Sequence, residues 1–131
     1  NAPTPTHYDT LEKLWRRIHH LDHLQSIASW DQAANMPTKG NEARAAALAE
    51  ISTCIHELLT APNVETLLSQ AAQETLAPPQ KGNLREMKRV WQIRNALPAS
   101  LVRRKDLAES RCEHAWRIQR PANDWQGFLV N

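Results

Sequence analysis

The sequence predicts an all-α fold, an antiparallel helical bundle of about five helices, and three observations carry that reading. Glycine is scarce, 3 in 131 residues, while alanine, leucine, glutamate and arginine are common, which favours helix and offers little for strands or hairpins. Apolar residues return at three- and four-residue steps, which keeps them on one stripe at about 100° per residue. Pro37, Pro62, Pro78, Pro79, Pro98 and Pro121 fall at the joints between these periodic stretches. There a missing N–H and a restricted preceding residue end one helix or begin the next.

The first helix is expected from about Thr6 to Ala34, with Leu11, Leu14, Trp15, Ile18, Leu21, Leu24 and Ala28 facing inward and Thr6 or Asp9 as cap. Met36-Pro37 ends it, and residues 37–40 make a turn. A second helix runs from an Asn41 cap to about Leu59, burying Ala47, Leu48, Ile51, Ile55, Leu58 and Leu59. After a break at 60–63, a third helix spans Val64 to about Thr75 and turns Val64, Leu67, Leu68 and Ala71 inward. The fourth starts at Pro78 and continues to about Asn95 through Leu84, Met87, Val90 and Trp91.

The fifth helix, about Pro98 to Arg120, is expected to bury Leu101, Ala108, Cys112, Ala115 and Trp116. Lys105/Glu109 and Glu113/Arg117 are i,i+4 pairs that support its surface. Pro121 closes it, and Asn123 or Asp124 caps a last turn with Trp125, Phe128 and Leu129. Those three read as the opening of a further amphipathic helix cut short at Asn131. The organisation expected is therefore a disordered N-terminus or cloning remnant at residues 1–5, then one truncated helical subdomain at 6–131.

A chain of this length buries roughly two thirds of its unfolded surface if it folds alone. No apolar run approaches the roughly 20 residues of a membrane span, and no signal-peptide core is visible, so a cytoplasmic setting without membrane partners is expected. Cys54 and Cys112 lie far apart within apolar helical stretches and read as buried free thiols, with a disulfide as the lesser alternative. The net charge of +2 hides an asymmetry. Residues 1–80 hold 5 Lys/Arg against 9 Asp/Glu, whereas residues 81–120 hold 11 against 4.

The chemistry-bearing candidates are few. His19 and His23 share a helix face at i,i+4, with His20 beside them, but two ligands do not make a metal site, and polar residues flanking the stripe are the expectation. The zinc-protease motif H-E-x-x-H is absent: His56-Glu57 continues as Leu58-Leu59-Thr60, without the second histidine. No nucleophile elbow, phosphate-binding glycine loop or CxxC pair occurs. The basic run Arg85, Lys88, Arg89, Arg94, Arg103, Arg104 and Lys105 lacks helix-turn-helix spacing or interleaved aromatics, so a solvated face or the cationic wall of a groove is expected rather than nucleic-acid binding. Of the five tryptophans, Trp15, Trp91 and Trp116 fall on apolar stripes and read as core; Trp30, beside Asp31 near a helix end, stays open, because an indole N–H needs a partner when buried. No catalytic, cofactor-binding or metal-binding residue is assigned.

Three blocks carry a resemblance. Ser29-Trp30-Asp31-Gln32 leads to Met36-Pro37 and Gly40-Asn41-Glu42-Ala43-Arg44-Ala45. Residues Asn83 to Arg89 lead to Leu97-Pro98 and Leu101-Val102. Ala115-Trp116 leads to Asn123-Asp124-Trp125 and Phe128-Leu129. In this order and spacing, over nearly the whole chain, they resemble the N-terminal region of the carboxypeptidase Taq family of zinc- or cobalt-dependent metallocarboxypeptidases. One departure is Val130, where the family usually has proline.

The resemblance implies the N-terminal part of a larger, almost wholly helical enzyme that removes C-terminal amino acids from peptides. The family's metal ligands come from an H-E-x-x-H helix and a later glutamate, none of which maps onto a residue here. By the same implication this part forms one wall or lid of a deep groove, has no cofactor of its own and is inactive alone, with peptide substrate met only in the full-length enzyme. The alternative expectation is a free-standing helical interaction module that self-associates, a homodimer through exposed apolar helix faces.

Overall fold

The computed structural model describes residues 4–131, and the described residues are all-α. The helices are α1 (His7–Ala34), α2 (Asn41–Leu59), α3 (Pro62–Ala71), α4 (Pro78–Asn95), α5 (Ala99–Gln119) and a single turn, α6 (Trp125–Phe128); a 3-10 turn at Thr38–Gly40 joins α1 to α2. The expected N-terminal stretch 1–5 falls partly outside the described residues; Thr4 and Pro5 precede the first helix without regular structure. Among the described residues no helix is long and apolar enough to cross a membrane.

Helix ends follow from local chemistry. Thr6 and Asp9 cap α1 together: Thr6 Oγ1 accepts from Asp9 N at 3.1 Å, and Asp9 Oδ2 accepts from Thr6 N at 2.9 Å. Two expectations are corrected here. Asn41 has helical dihedrals and belongs to α2, because the 3-10 turn feeds the helix directly and leaves no cap position for it. Pro62, expected in a break, starts α3, where its fixed φ and missing N–H suit the first turn; the helix ends at Ala71 and not near Thr75. At the other end of the chain, Asn123 adopts a positive φ of 57°, and Asp124 Oδ1 accepts from Gly127 N at 2.8 Å to cap α6. A Cβ at Gly127 would meet the Asp124 carboxylate, so a side chain there would displace this cap.

The chain divides into two compact units. Of the described residues, unit 1 comprises those up to 23 and 54–98, hence the first part of α1, the end of α2, α3 and α4; unit 2 comprises residues 24–53 and 99–131. Unit 1 has an apolar core of Tyr8, Leu11, Val64, Leu68, Ala71 and Met87, with Trp15, Leu84 and Trp91 packed against it. Burying a side chain such as Leu11 or Val64 completely is worth about 1.5–3 kcal/mol each.

Unit 2 buries a different kind of side chain. Its buried residues are Ala45, Ala49, Val102, Gln32 and Ser110. The inner faces expected for its helices are therefore corrected. On α5, Leu101, Ala108 and Trp116 are exposed, Cys112 and Ala115 are half-buried, and Val102 and Ser110 face inward. On α2, Ala45 and Ala49 are buried in place of Ala47. On α1, Leu24 is 56% exposed. Hydrophobicity alone chose the apolar stripes; hydrogen bonding to Gln32 chose the stripe that carries Ser110 instead.

Candidate functional site

The most connected polar constellation lies in unit 2, and it is built on the first of the sequence blocks. Gln32, only 7% exposed, donates from Nε2 to Ser110 Oγ at 3.0 Å and to Asn41 Oδ1 at 3.3 Å. Arg44 donates from Nη1 to the Ala28 carbonyl at 2.7 Å and pairs through Nη2 with Asp31 Oδ2 at 2.6 Å. Arg117 donates from Nη1 to the carbonyls of Gln32 at 3.0 Å and Ala33 at 2.9 Å, and its Nη2 meets Glu113 Oε1 at 2.6 Å.

The physical logic is that of a helix end. The last turn of α1 contains no basic residue, and its final carbonyls have no partners within the helix. Arg117 supplies both donors and a positive charge at the negative end of the helix dipole. Within the first block, Asp31 and Gln32 turn to this network, whereas Trp30 is 64% exposed.

Beside the network is a small cavity of about 160 Å³ that Gln25, Gln32, Asp106 and Ser110 help to line. Asp106 Oδ2 is buried without a hydrogen-bond partner, while Glu109 and Glu113 on the same helix are paired with Lys105 and Arg117. The arrangement can bind polar groups and hold helices in register.

The N-terminus of α1 in unit 1 has its own anionic cap. Glu74 accepts from His7 N at 2.8 Å and from Tyr8 N at 3.3 Å, and His7 Nδ1 lies 2.9 Å from the same carboxylate. Burial pushes the Glu74 carboxyl up, but these hydrogen bonds together outweigh it and hold the group below the usual carboxylate range. The backbone N–H and then the hydroxyl of Thr6 hold Asp9 low in the same way.

The histidines do not come together. His19, His20 and His23 are all exposed, with the His19 and His20 rings 6.3 Å apart and tilted. His56, half of the incomplete zinc motif, is 3% exposed, and its Nδ1 has no hydrogen-bond partner. Among the described residues no three His, Cys, Asp or Glu side chains group as metal ligands. They do not fit a catalytic zinc or cobalt ion, which needs three protein ligands and an open position. Cys54 and Cys112 are free and half-buried.

Sequence reasoning missed Ser110 and Arg117 as members of the network, and Asp106 as a lining residue of the cavity beside it. The available signal was the i,i+4 spacing of Asp106 and Ser110, which reads as a solvated face until a buried glutamine is placed opposite it. The basic run is divided: Arg89 pairs with Glu86 in unit 1, and Arg103 and Lys105 pair with Glu50 and Glu109 in unit 2.

Known proteins give the constellation a context. The sequence model of the family described as carboxypeptidase Taq (M32) metallopeptidase matches residues 10–131. Thermostable carboxypeptidase 1 of Thermus thermophilus is 31% identical over 126 residues, 93% of this chain and 25% of that protein. Its namesake from Pyrococcus furiosus is 32% identical over 115 residues, 87% of this chain and 23% of that protein. Among solved structures, the Trypanosoma cruzi metallocarboxypeptidase 1 superposes with a TM-score of 0.74 at 36% identity, covering 95% of this chain and 25% of that one. A Pyrococcus furiosus carboxypeptidase gives 0.73 at 29% identity, covering 98% and 26%. The chain thus spans about a quarter of the length of the relatives it matches.

Proposed function

The chain belongs to the carboxypeptidase Taq (M32) metallopeptidase family, and on that footing we propose that it forms one wall or lid of the substrate groove of a metal-dependent carboxypeptidase. The reaction served is removal of C-terminal amino acids from peptides, in a cytoplasmic setting. The metal and its ligands belong to the remaining three quarters of such an enzyme, so the chain alone does not hydrolyse peptides.

One observation carries the reading: unit 2 exposes large apolar side chains around a hydrogen-bonded interior. Trp30 and Trp125 are more than half exposed, as are Ile27 and Ile118. A wall built to be covered by further helices accounts for these exposed side chains.

The test is an assay of the purified chain with zinc or cobalt and an N-blocked dipeptide. The expected result is no release of the C-terminal amino acid above the metal-only background. Turnover that depends on the chain would overturn the proposal.

A further inference from the structure

Between α3 and α4 of unit 1 runs an open groove of about 550 Å³. Its floor is apolar, formed by Leu68, Leu76, Leu84 and Trp91, all of which belong to the unit 1 core or pack against it. Its α4 wall carries Lys81, Arg85 and Lys88, all exposed. Steps of four and three residues set these cations in one row, over about 10 Å of helix axis.

Among the described residues none of the three has an ion-pair partner, whereas Arg89, the next residue along, is paired with Glu86 at 2.8 Å. The opposite wall carries Glu65 and Glu74, and Glu74 is occupied by the N-terminus of α1. The groove is therefore apolar at its base, cationic along one edge and weakly anionic along the other.

We infer that this groove docks an acidic amphipathic helix from another protein, with apolar residues on the floor and carboxylates along the flank that meets Lys81, Arg85 and Lys88. A valley between two packed helices takes a third helix by ridge-into-groove packing, and apolar anchors at helical spacing fill it. Carboxylates spaced at four and three residues match the row of cations. The asymmetry of the walls sets direction, because reversing the ligand brings its carboxylates against Glu65. Nucleic acid fits worse: the floor offers one aromatic ring for stacking, and the far wall repels phosphate.

The experiment is a fluorescence-anisotropy titration of the whole chain with labelled peptides of about 18 residues, five helical turns. One peptide carries leucines on a face and glutamates on one flank; in its control every glutamate is lysine. A single-stranded RNA oligonucleotide is the third probe. The acidic peptide binds at least about tenfold more tightly than its control, and weakens as salt rises.

The double variant Lys81→Glu/Arg85→Glu reverses the preference. Both positions are exposed on α4, so neither substitution removes a core contact, and the circular dichroism of the variant matches that of the parent chain. Ala72→Trp, at an exposed α3 C-cap with ordinary helical dihedrals, fills the groove and abolishes binding without changing charge. Equal binding of the two peptides, binding that survives both variants, or tighter binding of the RNA overturns the inference.

Discussion

The two units of this chain are built by different physics from similar sequence material. Unit 1 buries leucine, valine, isoleucine, methionine and tyrosine, so its helices are held by apolar area removed from water. Unit 2 buries two alanines, one valine, a glutamine and a serine, and leaves Ile27, Trp30, Ile118 and Trp125 more than half exposed. Its helices are held by directed bonds to Gln32, Arg44 and Arg117. The first kind of unit draws its cohesion from apolar area, although its groove between α3 and α4 stays open. The second spends polar side chains on register and keeps apolar surface for whatever covers it.

Replacing one core residue in each unit should separate the two modes most strongly. Leu11→Ala removes a fully buried side chain of unit 1 and should lower stability by about 2–5 kcal/mol in urea unfolding. Gln32→Leu keeps volume in unit 2 but strands the Ser110 hydroxyl and the Asn41 side chain, and should cost less, about 1–3 kcal/mol. A Gln32→Leu cost equal to or above that of Leu11→Ala would erase the distinction drawn between the units.

A smaller effect sharpens it through pH. The Glu74 carboxyl is held low in the folded chain, so the unfolded state binds its proton more readily. Its stabilising contribution is present at neutral pH and is lost as pH falls from the ordinary glutamate range, about 4.3, through the lower folded value. Glu74→Gln should flatten that acid limb in a pH series of urea midpoints, while Gln32→Leu leaves its slope unchanged. An unaltered limb in Glu74→Gln would remove the anionic cap as a source of acid sensitivity.

Much of the fold was legible residue by residue. Prolines and glycine scarcity placed the helices, with the α4 bounds and the C-terminal ends of α1 and α2 as expected. The stripe through Leu11, Val64, Leu68 and Met87 named the unit 1 core, because burial there follows hydrophobicity. The candidate site was legible only as an ordered block, Trp30-Asp31-Gln32 with Asn41 and Arg44. That Trp30 points to water while Gln32 is buried could not be read from it, since the more apolar residue is the outer one.

The sequence by itself determined the helical class, most helix boundaries and membership of the family, because these rest on local propensity and on residue order. Tertiary structure alone decided which face of α5 turns inward, that Arg117 closes the end of α1 across 84 to 85 residues of chain, and that Lys81, Arg85 and Lys88 border a groove. The reason is physical. A polar side chain is inside or outside according to whether a partner stands opposite it, and that partner comes from a distant part of the chain that local pattern does not see.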